Sequence, residues 1–316
     1  MKMQGFYKGV NLGGWLSQCA YSEQHMDEFI TEPDFVQIRD WGFDHVRIPF
    51  DYNILECEDG SWNQSGFARL KDALALARKY GMNVVLDLHK AAGFSFDTYS
   101  EHESGFFDRA DYQERFYALW EELAKRFGDD PEHVAFELLN EVTNREFIEP
   151  WKRIADTCIK RIRKFAPKTQ ILVGSYFNNA VAAVPALDPP QDEFVIYNFH
   201  CYEPLKFTHQ GAYWTDQINP AERMAFEQSE TSEVYFEQLF EAAIQHAEAN
   251  GTSLYCGEYG VIEFVTPEDT VKWFKTINAV LQRHHIGRAV WCYKAMNFGL
   301  TNPALDDVRA ELLQYL

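Results

Sequence analysis

The chain has 316 residues, with 29 Lys plus Arg against 48 Asp plus Glu, a formal net charge of −19. Nucleic-acid binders present basic faces to phosphates, so this balance argues against that class, and equally against anionic membranes and polyanionic substrates. An uncharged substrate is not disfavoured, and a hydrophobic content of 46% can fill one large core.

In chain order, the first strand-like run covers residues 5–12 and the second 43–49. Phe67, Leu70, Leu74, Ala77 and Tyr80 then repeat at helical spacing, and Gly81 supplies a C-terminal stop. A third run at 83–89 contains Val84-Val85-Leu86, apolar on both faces as a buried parallel strand is. A helical repeat of Phe116, Leu119, Leu123 and Phe127 before Gly128 leads to runs at 134–141, 170–174 and 194–200. Residues 203–233 form a long, aromatic, irregular stretch, expected to pass over the end of the strands as a loop. A run at 253–258 precedes a helix opened by Pro267 with Glu268 and Asp269 in its first turn and reaching to about His285; the last run is 288–293. Eight runs alternating with helical segments predict an α/β fold, a closed (β/α)8 barrel. No linker-like composition interrupts the chain, so one catalytic domain over 1–316 is expected.

The cysteines (Cys19, Cys57, Cys158, Cys201, Cys256, Cys292) show no C-x-x-C or Cys/His ligand spacing. They predict free thiols, a mild preference for a reducing compartment, and no metal site. No apolar stretch approaches a membrane span. Residues 1–14 lack a basic segment followed by an apolar run, so no signal peptide is expected within this chain. A cytoplasmic protein would read this way, and so would a secreted one whose signal had been removed. There is no G-x-G-x-x-G after a strand, no Walker motif and no H-E-x-x-H, so no cofactor is expected.

Catalytic groups of such barrels stand at the C-terminal ends of strands. The polar residues there are Asn11, Arg47, His89, Asn140, Glu141, His200, Tyr202 and Glu258, with Trp291 beside them. Glu141 and Glu258 each terminate a buried run, where an acid needs a partner or a task. Glu137 and Asp87, deeper in their strands, read as structural ion-pair partners. Taken singly, Arg47 is an ordinary strand-end cation, either His a hydrogen-bonded core residue, and Trp291 core. His284-His285 reads as a solvated helix end.

Together these motifs resemble glycoside hydrolase family 5. The resemblance rests on Gly9-Val10-Asn11-Leu12-Gly13-Gly14-Trp15, His45-Val46-Arg47-Ile48-Pro49-Phe50, Asp87-Leu88-His89 and Leu139-Asn140-Glu141. It continues through His200-Cys201-Tyr202, Gly257-Glu258-Tyr259-Gly260 and Trp291. It is most similar to the compact bacterial endo-β-1,4-glucanases, an impression to which Phe207-Thr208-His209-Gln210 and Trp214 add. Lys90 departs from the pattern, since relatives often carry His there, and one sugar contact beside the cleavage point is affected.

The resemblance implies Glu141 as acid/base and Glu258 as nucleophile of a retaining hydrolase. Asn11, Arg47, His89, Asn140, His200, Tyr202, Trp214 and Trp291 are implied as substrate-binding or supporting residues. The chemistry agrees: glycosidic cleavage needs two carboxyl groups, one protonated and one ionised. Arg47 beside Glu258 would favour the ionised form, while Glu141 without a cation would keep its proton longer. Asn140 is expected on the sugar 2-hydroxyl and Trp291 beneath the ring being cleaved. Phe94, Phe96 and Tyr99 after the third strand and Phe177 after the fifth suit a row of stacked sugars.

The expected partner is therefore a β-glucan polysaccharide or oligosaccharide, cellulose-type or mixed-linkage, acted on by a monomer. An exo-β-1,3-glucanase and a β-mannanase of the same family are the alternatives, because loops set specificity on a shared barrel. An inactive sugar-binding barrel would lack one carboxylate, and both are present. A metal-dependent barrel would show an early His-x-His, which is absent.

Overall fold

A computed structural model of the protein describes residues 3–97 and 104–316; Tyr99 lies outside the described residues. Eight strands form a closed parallel barrel in sequence order: β1 Lys8–Asn11, β2 His45–Asp51, β3 Asn83–Lys90, β4 Val134–Glu137, β5 Gln170–Gly174, β6 Val195–Cys201, β7 Leu254–Tyr259 and β8 Gly287–Val290. Closure is made by β1, which pairs with both β2 and β8. The helices Gln64–Lys79, Ala110–Phe127 and Pro267–Arg283 lie where the apolar repeats place them, and Gly81 follows the first of them with a left-handed φ of +72°. No helix among the described residues is long and apolar enough to cross a membrane.

Side chains alternate across each strand, and here the alternation sorts them into two cores. Outward residues such as Val46, Ile48, Leu86, Phe136, Ile171 and Phe199 join the helices in one extensive cluster. Inward residues Val85, Ala135, Leu172, Ile196, Tyr255 and Ala289 form a separate small cluster, closed from below by Met3 and Phe6. Two residues further along the same inward faces stand Asp87 after Val85, Glu137 after Ala135 and Asn198 after Ile196. The barrel interior thus passes from an apolar floor to a buried polar layer, and the candidate site rests on that layer.

Several strand ends differ from expectation. The run 134–141 was read as one strand, yet β4 leaves the ladder after Glu137. Beyond it, single backbone hydrogen bonds reach β5 (Leu138 N to Leu172 O, 3.2 Å) and β3 (Asn140 N to Leu88 O, 2.9 Å), and Glu141 takes a left-handed φ of +44°. β1 is shorter than 5–12, because Gly5 and Phe6 turn under the barrel floor; β8 stops at Val290 instead of Tyr293, before the cis peptide Trp291–Cys292. Residues 203–233 are the irregular excursion expected, with two short helical turns, Leu205–Thr208 and the 3-10 turn Phe226–Gln228, inside it.

Candidate active site

The buried Arg47 organises the polar layer. Its guanidinium donates to both oxygens of Glu137 (2.7 and 2.8 Å), to Asn11 Oδ1 (2.8 Å), to Asn140 Oδ1 (3.0 Å) and to Glu258 Oε1 (2.8 Å), and lies 3.0 Å from Asp87 Oδ2. One cation serves three carboxylates, so not all of their burial is offset. Burial pushes Asp87 up to about 7 despite Arg47, and raises Glu137 as well. Both acids act on the arginine and on each other, as structural partners do. Asn11 is likewise committed to the protein: its Nδ2 donates to the carbonyls of Gly257, Ala289 and Val290, fastening β1 to β7 and β8.

Glu258 reaches the mouth through a register shift between Cys256 and Tyr259, which leaves Glu258 opposite His200 while Cys256 is opposite Phe199. Gly257 is the extra residue. Its N–H donates to Asn198 Oδ1 at 3.0 Å, and a Cβ there would lie 2.8 Å from that same oxygen. Bulges of this kind re-aim a side chain. Besides Arg47, Tyr202 donates its hydroxyl to Glu258 Oε2 at 2.8 Å.

Glu141 faces Glu258 from the far side. A carboxylate oxygen of each, and a ring nitrogen of His200, lie within 4.8 Å of one another, the one group of this kind among the described residues that could hold a metal ion. The donors are already engaged, however: His200 Nδ1 is 2.9 Å from Glu141 Oε1, Asn178 Nδ2 donates to Glu141 Oε2 at 3.0 Å, and Glu258 is held by Arg47 and Tyr202. Burial raises the Glu141 carboxyl above its ordinary value, opposed by the Asn178 amide and by His89 and Arg47. Burial also lowers His200 to about 4 and lowers His89, so both rings are neutral near pH 7.

His89 and Trp291 wall the cleft. His89 Nδ1 is fixed by Asp87 at 2.6 Å, and the ring lies parallel to the Trp291 indole, 5.8 Å away. Trp291 is admitted by Gly13, where a Cβ would come 2.8 Å from the ring. Lys90 Nζ is 3.4 Å from Asp97 Oδ2, so the residue that departs from the family pattern is engaged by a neighbouring loop. Asn140 Nδ2 is buried with no protein partner.

Of the residues singled out from sequence, Arg47, His89, Asn140, Glu141, His200, Tyr202, Glu258 and Trp291 converge on this mouth and Asn11 supports it. Trp214 does not touch the carboxylates. It stands two rings out, edge-on to His209 (6.4 Å), which is edge-on to Tyr202 (5.0 Å). Sequence reasoning missed Asn178, Asn179 and Asn198. The signal for Asn198 was present, since it lies two residues before His200 on the same strand face. Asn178-Asn179 offered only an asparagine pair, a residue type that tolerates left-handed backbone, just past the fifth strand.

A parallel eight-stranded barrel whose C-terminal mouth brings two carboxyl groups face to face, one against a cation and one among neutral groups, is the framework of a glycoside-cleaving enzyme. The family described as cellulase (glycosyl hydrolase family 5) matches residues 7–297, and the chain belongs to that family of glycoside hydrolases. It is 60% identical to Cellodextrinase A of Ruminococcus flavefaciens over 91% of this chain and 85% of that one. It is 34% identical to Endoglucanase C of Acetivibrio thermocellus, over 99% of this chain and 98% of the relative. Among solved structures, a hyperthermophilic endo-β-1,4-glucanase in complex with substrate superimposes with a TM-score of 0.82 at 25% identity, over 96% of this chain and 93% of that one.

Proposed function

We propose that this protein is a retaining endo-β-1,4-glucanase acting on cellulose-type or mixed-linkage β-glucans by double displacement. Glu258 attacks the anomeric carbon while Glu141 passes its proton to the glycosidic oxygen, which leaves with the departing chain. Glu141, now ionised, then takes a proton from water as that water attacks the same carbon, and Glu258 departs as a carboxylate. The observation that carries this reading is the spacing of the two acids: with oxygens within 4.8 Å, they are closer than the roughly 6.5–9.5 Å at which an inverting enzyme fits a water beside the sugar, and near the roughly 5–5.5 Å of retaining pairs.

The surroundings support the division of roles. Arg47 and Tyr202 orient Glu258 for attack, whereas Glu141 is raised by burial, as an acid catalyst near neutral pH should be. The orphan Asn140 Nδ2 supports a contact to the sugar 2-hydroxyl, and Trp291 supports stacking under the reacting ring. Relatives named as an endoglucanase and as a cellodextrinase support β-1,4-linked glucan, with short soluble chains beside the polymer. We take the working form to be a monomer.

The test is proton NMR of the first-formed anomer from cellotetraose. The β-anomer should appear first; early α-anomer overturns double displacement. Reducing-end release from purified mannan and β-1,3-glucan on the same scale settles the linkage, and should be small beside that from β-1,4-glucan.

A further inference from the structure

We propose that Asn178 is a positioning residue for Glu141, presented to it by a left-handed turn of Phe177, Asn178 and Asn179; the inference rests on the acid/base role given to Glu141 above. These three consecutive residues have φ of +51°, +54° and +56°. Left-handed backbone is disfavoured for every residue with a Cβ, least for asparagine. Such a run persists only where its surroundings hold it.

Here they do. Phe177 N–H donates to Thr143 O and Asn178 N–H to Val142 O, each at 3.0 Å, so the turn is clipped to the two residues that follow Glu141. Gly174, the last residue of β5, leaves the space: a Cβ there would be 2.2 Å from Asn179 Oδ1.

The turn serves both oxygens of the carboxyl. Asn178 Nδ2 donates to Oε2 at 3.0 Å. Asn179, fully buried, places its Nδ2 3.4 Å from His200 Nε2, which leaves the ring proton on Nδ1, the atom 2.9 Å from Glu141 Oε1. A carboxyl that must lose and regain a proton within one turnover keeps its direction if each oxygen has its own donor.

Donation to the ionised form also offsets burial. The other charged and titratable groups facing Glu141 are His200 and Tyr202 from β6 and its end, Asp87 and His89 from β3, Arg47 from β2 and Glu258 from β7. The Asn178 amide opposes burial more strongly than His89 or Arg47 does.

The experiment compares Asn178→Gly, which suits the backbone and removes the amide, with Asn178→Asp, which keeps the shape and replaces the donor by an acceptor. The substrates are cellotetraose and dinitrophenyl cellobioside. The alkaline limb of kcat/KM on cellotetraose should move up by about half a pH unit for Gly and further for Asp. On cellotetraose kcat should fall about 10-fold with KM little changed, while kcat/KM on the aryl glycoside, which reports only the first step and whose leaving group needs no proton, should fall less than about 2-fold. An unmoved alkaline limb in both variants, or equal loss on both substrates, overturns the proposal. Glu141→Gln on the same pair separates the two levels. If it loses kcat/KM on both substrates equally, with no burst of glycosyl-enzyme from the aryl glycoside, the acid/base reading itself fails. If it spares the aryl glycoside while the Asn178 variants keep the wild-type limb, only the positioning role fails.

Discussion

Glu141 and Glu258 occupy different electrostatic settings a few ångströms apart, and substitution should separate them. In the proposed double displacement Glu258→Ala removes the group that bonds to carbon, so turnover of polymer and aryl glycoside alike should fall at least about 10,000-fold. Azide, small enough for the space vacated, should restore part of the aryl glycoside turnover and give the α-glycosyl azide. Glu141→Ala should abolish polymer cleavage yet leave formation of the glycosyl-enzyme from dinitrophenyl cellobioside largely intact. Product analysis and burst kinetics on the two variants check this, and the opposite assignment predicts the exchanged pattern.

How much of this site could be read from the sequence depends on how each residue reaches it. Arg47, His89 and His200 are strand residues whose inward direction follows from alternation, so order and spacing sufficed. Glu258 needed more, because the bulge at Gly257 changes the phase of the strand just before it, and only the Gly-Glu pair hinted at that. Glu141 was found for a reason that is geometrically incomplete: it does not end a strand, but lies four residues beyond one in left-handed backbone. Asn178 was illegible, since its place depends on tertiary clips to Val142 and Thr143.

At the scale of elements, the excursion between β6 and the helix Glu233–Ala249 borders the mouth, where its His209 meets Tyr202. It carries the exposed Tyr213 and Trp214, while Phe177 is exposed beyond Glu141 on the β5 loop. The aromatic line from Tyr202, which donates to Glu258, through His209 to the exposed Trp214 suits a groove holding several sugars. Soluble substituted cellulose should therefore lose viscosity quickly while few reducing ends appear. Trp214→Ala should raise KM for polymer several-fold and leave a short aryl glycoside unaffected. Glucose or cellobiose as the sole early product, with viscosity unchanged, would instead identify a pocket.

Across the whole molecule, the buried ionisable groups of the mouth and its surroundings oppose one another in their effect on stability. Burial lowers His200 and His209 to about 4, so the folded rings stay neutral where unfolded ones, near 6.5, take up protons; this costs stability as pH falls from about 6.5 to about 4. Burial raises Asp87 to about 7 and Asp51 to about 6, so the folded acids hold protons that the unfolded chain has released; this adds stability as pH falls from about 7 to about 4. His209→Gln removes one opposing histidine, and its midpoint relative to wild type should rise on going from pH 7.5 to pH 5. Parallel melting curves for the two proteins check the sign.

The knot around Arg47 joins parts of the chain that are made at very different times. Asn11, Asp87, Glu137 and Asn140 are all translated in the first half of synthesis, and they can gather around the arginine early. Glu258 and the closing strand Gly287–Val290 come late. Until they emerge, β1 presents an unpaired edge of the kind that invites mispairing, and Arg47 holds a half-built cradle that lacks Glu258. The late strands that seal the barrel are thus the ones that bring the proposed nucleophile to its place beside Arg47.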